Sequence, residues 1–156
     1  MKLKIICLLL LLSCFSEQAF SKDFEPDRIY EDTNVMEIIL QAAEAAPDGV
    51  KGEYILKIKA AGKSQNALYL NTEVDYRDPR NVSVAIHPRA FKAFRKKYGK
   101  EAQDFFVGKK IKIQGEARRV IIKVSPEGKP PYKYYYFQTH IHVFKSSHIS
   151  LIDEQA

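Results

Sequence analysis

The chain has 156 residues, with 25 Lys and Arg against 19 Asp and Glu, a formal net charge of +6 at pH 7, two cysteines and no tryptophan. That length bounds it to one domain with enough residues to bury a real core. Both cysteines lie in the first 14 residues, so if a leader is removed no disulfide and no cysteine nucleophile remain.

The leader is predicted over residues 1–21. Lys2 and Lys4 are followed by eight residues without a polar side chain, Ile5 to Leu12, well short of the roughly 20 that a bilayer span needs. Ala19-Phe20-Ser21 places small side chains at the first and third positions before a cut, and Lys22-Asp23 then begins an exported chain, periplasmic or secreted. A competing signal is Leu11-Leu12-Ser13-Cys14, which resembles a lipobox. Lipidation at Cys14 would tether the protein, and membrane attachment is expected only in that case.

Charge is unevenly spread. Residues 22–50 carry 2 basic and 8 acidic side chains, residues 51–124 carry 18 and 7, and residues 125–156 carry 3 and 3. An acidic lead-in therefore precedes a basic body. Such a body attracts polyanions, and it is equally what scattered lysines on a solvated surface produce.

Residues 22–33 are polar and aperiodic, and read as an extended lead-in. From Asn34, an N-cap residue, apolar side chains recur at 35, 38, 39, 42, 43 and 46, predicting an amphipathic helix stopped by Pro47-Asp48-Gly49. Beyond Gly52 the period falls to two. Tyr54, Leu56, Ile58 and Ala60 mark the buried face of a strand, residues 62–66 a turn, 67–71 a second strand, 72–81 a polar loop, and 82–86 a third strand ended by His87-Pro88. Residues 89–106 return to helical spacing as a basic amphipathic helix, with Gly99 as its weak point. A long strand over 111–124, with a bulge or bend expected at Gly115, is joined by the loop 125–131 to a partner strand over 132–143, and residues 150–152 close the pattern.

This order predicts a mainly β fold, a five-stranded OB-fold-like Greek-key barrel with one helix between strands 3 and 4, preceded by the N-terminal amphipathic helix. The predicted parts are a signal peptide (1–21), an acidic lead-in and helix (22–50) and the barrel (51–156). Val84-Ala85-Ile86-His87-Pro88, then a helix, then Gly108-Lys109-Lys110-Ile111-Lys112-Ile113-Gln114-Gly115, resembles small bacterial OB-fold, nucleic-acid-binding-like domains with their G-K-x-[IV]-x-[IV]-x-G turn and strand. The apolar runs of residues 139–152 fit the same ending. The resemblance spans residues 53–152 and implies the barrel; for function it implies at most nucleic-acid binding.

OB barrels bind ligands on the second and third strands and the loops beside them. That places Lys63, Gln65, Tyr69, Asn71, Arg118 and Lys129 at the expected site, with the tyrosines of the second hairpin. Alternation sets Tyr135, Phe137, Ile141 and Val143 on a core face, and Tyr134, Tyr136, His140 and His142 on the opposite one, so Tyr134 and Tyr136 are the stacking candidates. His140 and His142, two apart on one strand face, are a metal-ligand pair in need of a third ligand, with surface histidines the plainer reading. Asp75, Arg77, Asp78 and Arg80 are either the start of a metal-dependent nuclease site or a self-paired loop.

No catalytic motif and no cofactor fingerprint is found. The expected function is therefore a non-enzymatic, exported binding module contacting a polyanion, single-stranded nucleic acid included. The alternative is an envelope accessory domain touching a protein partner through its acidic helix and strand edges.

Overall fold

The computed structural model describes residues 28–30, 34–64, 67–99 and 102–152. The leader, Cys14 and Gln65 lie outside the described residues.

Asn34 starts the first helix as its spacing predicts. Its side-chain oxygen accepts from the Met36 amide at 3.1 Å, satisfying one of the free donors of helix α1, Val35–Glu44. Ile38 and Ala42, one turn apart, are buried, and Val35 and Ile39 pack beside them. Met36 and Leu40 point to solvent on the other side.

The body is mainly β. Strands β1 (Arg28–Tyr30), β2 (Val50–Lys57), β3 (Ala60–Lys63), β4 (Leu68–Asn71) and β5 (Val82–Ile86) precede the short helices α2 (Phe91–Tyr98) and α3 (Ala102–Phe106). Strands β6 (Lys110–Val124), β7 (Tyr134–Val143) and β8 (Ile149–Leu151) follow. The sheet order is β1-β2-β6-β7-β5-β4-β3, with β8 also on β6. β2 and β3, which lie toward opposite ends of that order, are separated in sequence only by Ile58 and Lys59. The Ile58 amide donates to the Lys109 carbonyl at 2.9 Å, whereas the next amide, Lys59, donates to the Asn71 carbonyl at 2.8 Å. One run of chain thus passes from β6 to β4, and the sheet closes on itself. β5 and β7 pair parallel, Val82 opposite Thr139 through Ile86 opposite Val143, which requires the long crossover that α2, α3 and β6 supply.

Alternation fills the interior. Tyr54, Leu56, Leu70, Val84, Ile113 and Ile141 are all fully or almost fully buried, with Phe94 and Phe106 from the two helices packed against them. The Tyr54 hydroxyl, buried with its ring, donates to the Val50 carbonyl at 2.6 Å.

Four expectations are corrected. The turn expected from Gly62 begins later, because Gly62 and Lys63 pair with Tyr69 and Leu68 inside the sheet. The single basic helix is two, broken at Gly99, whose φ of 93° lies in the left-handed region that side chains avoid. Gly115 is no bulge, since the β2–β6 register runs through it opposite Gly52 without an extra residue. It is a close approach instead: a Cβ there would lie 2.6 Å from the Ile141 Cγ2 and 3.2 Å from the His142 carbonyl.

The fourth correction concerns Tyr135 and Phe137, which are exposed rather than core. β2 covers β6 only as far as Ala117, and β5 covers β7 only from Thr139. Residues 118–124 and 134–138 therefore project as a two-stranded arm whose strands pair, among the described residues, only with each other.

Candidate ligand-binding face

The outer surface of β4, β5 and β7 gathers most of the side chains singled out from sequence. Registers set Tyr69, Ala85 and His142 in one line across the sheet and Asn71, Ser83, His140 and Arg118 in the next. Ser83 and Ala85 are small, so the rings of Tyr69 and His140 meet over them, edge to face at 5.8 Å.

Along β7 the same face carries Tyr134, Tyr136, Gln138, His140 and His142, and the alternation continues past the strand to Phe144. Ring centroids of His140 and His142 are 6.0 Å apart, and His142 stacks with Phe144 at 6.3 Å. His87 lies 5.3 Å from Phe144, and the Arg89 guanidinium rests 4.4 Å above the Phe144 ring. Phe144, His87 and Gln138 were missed from sequence, although continued period-two spacing pointed to Phe144.

Gln138 joins the strand to the loop 72–81. Its amide nitrogen donates to the Tyr76 carbonyl at 2.9 Å and to the Tyr136 hydroxyl at 3.3 Å, while its amide oxygen lies 2.8 Å from His140 Nε2. A carbonyl can only accept, so the amide orientation is set by Tyr76, and His140 must donate from Nε2. Burial holds the His140 pKa down at about 4, with the nearby His142 adding to the effect. Burial also lowers His142, followed by the positive Arg118, against a smaller opposing influence of Glu116. Both imidazoles are neutral rings at pH 7, so the plainer reading of ordinary surface histidines is corrected for His140, which is buried. Tyr136 is pushed up, first by partial burial and then by Tyr76.

The loop itself is braced from below. Buried Asn81 accepts from the Glu73 amide at 3.1 Å and donates to Ser83 Oγ at 2.9 Å, and Ser83 Oγ donates to Asn71 Oδ1 at 2.8 Å. Asn71 is thus consumed in a buried network rather than presented to a ligand. Asp75 binds Arg77 through both carboxylate oxygens, each at 3.0 Å, and Asp78 binds Arg80 at 3.1 and 2.8 Å. The Arg80 hydrogen bonds hold the Asp78 pKa down to about 2, and those of Arg77 lower Asp75. The loop is self-paired.

The remaining candidates are scattered. Lys63 is exposed but sits opposite Leu68, on the core-facing column, while Tyr69 opposite Gly62 faces outward. Arg118 lies beside His140 and pairs with Glu116 at 3.0 Å. Tyr134 ends the row, exposed, on the last β6–β7 pair, and Lys129 lies beyond it in the hairpin loop. Among the described residues no three His, Cys, Asp or Glu side chains gather in a group able to hold a metal ion.

No family model matches the chain. No curated protein matches it either. Among solved structures it is similar to an aspartyl tRNA synthetase from Entamoeba histolytica, at 14% identity and a TM-score of 0.42. That likeness covers 78% of this chain and 21% of the synthetase, so the chain spans a small part of that protein's length.

Proposed function

We propose that this protein is a non-catalytic, exported OB-fold binding module that holds a polyanion, single-stranded nucleic acid, on the outer face of β4, β5 and β7. The barrel reading takes β2 and β3 as one bent first strand, β4, β5, β6 and β7 as strands two to five, and α2 and α3 as the helical insert between strands three and four.

The observation that carries the reading is the row of rings. Side chains two apart on a strand repeat at about 6.6 Å, close to the 6.0 and 6.3 Å spacings of His140, His142 and Phe144. That is about twice the 3.4 Å step of stacked bases, so only an unstacked, extended strand can lay one base on each exposed ring. His140 is buried and holds the row in place, whereas His142, Phe144, Tyr69, Tyr134 and Tyr136 are at least partly exposed and offer π-faces without sequence preference, at about 1–3 kcal/mol per stacked base. Arg89, with its guanidinium over Phe144 and no carboxylate partner among the described residues, borders the row and provides charge for phosphates. Asp75 and Asp78, the carboxylates of the adjoining loop, are each tied to an arginine, which favours binding over hydrolysis.

Export rests on Lys2, Lys4, the apolar run and Ala19-Phe20-Ser21. The mass of the mature chain tests it, by whether the chain begins at Lys22 or carries lipid on Cys14. Fluorescence anisotropy with short single-stranded oligonucleotides tests the ligand. Affinity should fall with added salt, and no binding at low salt would sink the reading. The envelope-partner alternative has its own observation in Met36 and Leu40, exposed one turn apart on α1, and predicts co-purification that depends on them.

A further inference from the structure

The projecting arm has a second face, opposite Tyr134 and Tyr136. Register places Arg119, Ile121 and Lys123 of β6 directly against Thr139, Phe137 and Tyr135 of β7. This face continues the column that is core inside the barrel, but beyond Ala117 and Thr139 β6 and β7 pair, among the described residues, only with each other. Ile121 is 58% exposed, Tyr135 63% and Phe137 42%. Tyr132, at the base of the loop, is exposed as well.

Cations lie on these rings. The Arg119 guanidinium is 3.6 Å from the Phe137 centroid, and the Lys123 ammonium 5.4 Å from that of Tyr132. Residues 118–137 hold five basic side chains, Lys129 and Lys133 among them, and one acidic side chain, Glu127. Among the described residues no carboxylate pairs with Arg119, Lys123, Lys129 or Lys133.

We propose that this face of the β6–β7 arm docks on an anionic lipid bilayer surface. Tyrosines with an apolar body and a wet hydroxyl, flanked by long cationic side chains, are the composition that settles at a membrane interface. The heads of Arg119 and Lys123 lie over the Phe137 and Tyr132 rings and, with no carboxylate partner among the described residues, are available to headgroup phosphates. An uncompensated positive charge makes the complement a negative surface. A two-stranded projection reaches a planar partner without the barrel obstructing it. The row of Tyr69, Tyr136, His140 and His142 lies on the other face, so docking leaves it open and does not depend on its ligand.

Sedimentation of the full chain with vesicles tests this. Binding is expected to vesicles of phosphatidylcholine mixed with phosphatidylglycerol, to be lost in high salt, and to be absent with phosphatidylcholine alone. Each basic residue at an anionic leaflet strengthens binding by about fivefold, so Lys123→Gln with Lys129→Gln should weaken it roughly thirtyfold. Ile121→Asp should lower it further, and Tyr69→Ala should leave it unchanged. Circular dichroism melting checks folding, and if Ile121→Asp unfolds the exposed lysine pair still decides. Failure to bind anionic vesicles at low salt, or binding indifferent to the arm substitutions, overturns the proposal. So does loss of oligonucleotide binding in the arm variants with vesicle binding intact, which would make the arm part of the nucleic-acid surface.

Discussion

Gln138 and His140, two residues apart on β7, are locked 2.8 Å apart by an amide whose orientation is dictated from the loop by the Tyr76 carbonyl. One side chain thereby sets the tautomer of a buried imidazole and anchors the loop 72–81 to the sheet. Replacing Gln138 with Ala leaves the His140 Nε2 donor unmet in a buried site, and should cost about 1–3 kcal/mol of stability. Urea denaturation measures it, and oligonucleotide affinity should drop in parallel as the loop loses its tether. An unchanged midpoint would show that water replaces the amide.

His140 also makes stability pH-dependent. Its folded pKa of about 4 lies below the ordinary 6.5, so between those values the unfolded chain binds the proton and the native one does not. Stability is fully present above pH 6.5 and declines as pH falls toward 4, by an amount on the order of 3 kcal/mol. His142 and His148 are shifted the same way and steepen the slope. Asp75 and Asp78 act in a separate window below their ordinary 3.8, where protonation breaks their arginine pairs. Chemical denaturation at a series of pH values should show the upper slope reduced in His140→Gln.

Gly115→Ala tests the close approach of β6 and β7. The added methyl must displace the Ile141 side chain and press on the His142 carbonyl, an overpacking that should cost about 1–3 kcal/mol. Thermal melting reads it directly. Gly62→Ala, where an added Cβ meets nothing within 4 Å, is the control and should be near neutral.

On the proposed binding face, Tyr69→Ala and Tyr136→Ala should each weaken oligonucleotide affinity about tenfold with little change in salt dependence. Arg89→Ala should instead lower the salt slope by about one. Anisotropy titrations at several salt concentrations separate the two behaviours. A tyrosine variant that alters only the slope would contradict the stacking role.

Much of the scaffold was legible. Period-two runs at Tyr54, Leu56 and Ile58 and at residues 82–86 marked strands because alternate side chains must face the core. Asn34 and Pro47 bounded α1 because capping and a missing amide are local effects. Tyr135 and Phe137 misled for the same reason: alternation tells which side of a strand a residue occupies, not whether another strand lies beneath it.

What the sequence by itself determined is therefore local: the helix α1, the strand periods and the uneven charge, each written in neighbouring residues. What only the tertiary structure decided is which side chains share a place. It brought Tyr69 against His140, drew Asn71 into a buried network, set Lys63 on the wrong column and left the arm bare, because sheet register joins residues far apart in the chain and no local pattern encodes that pairing.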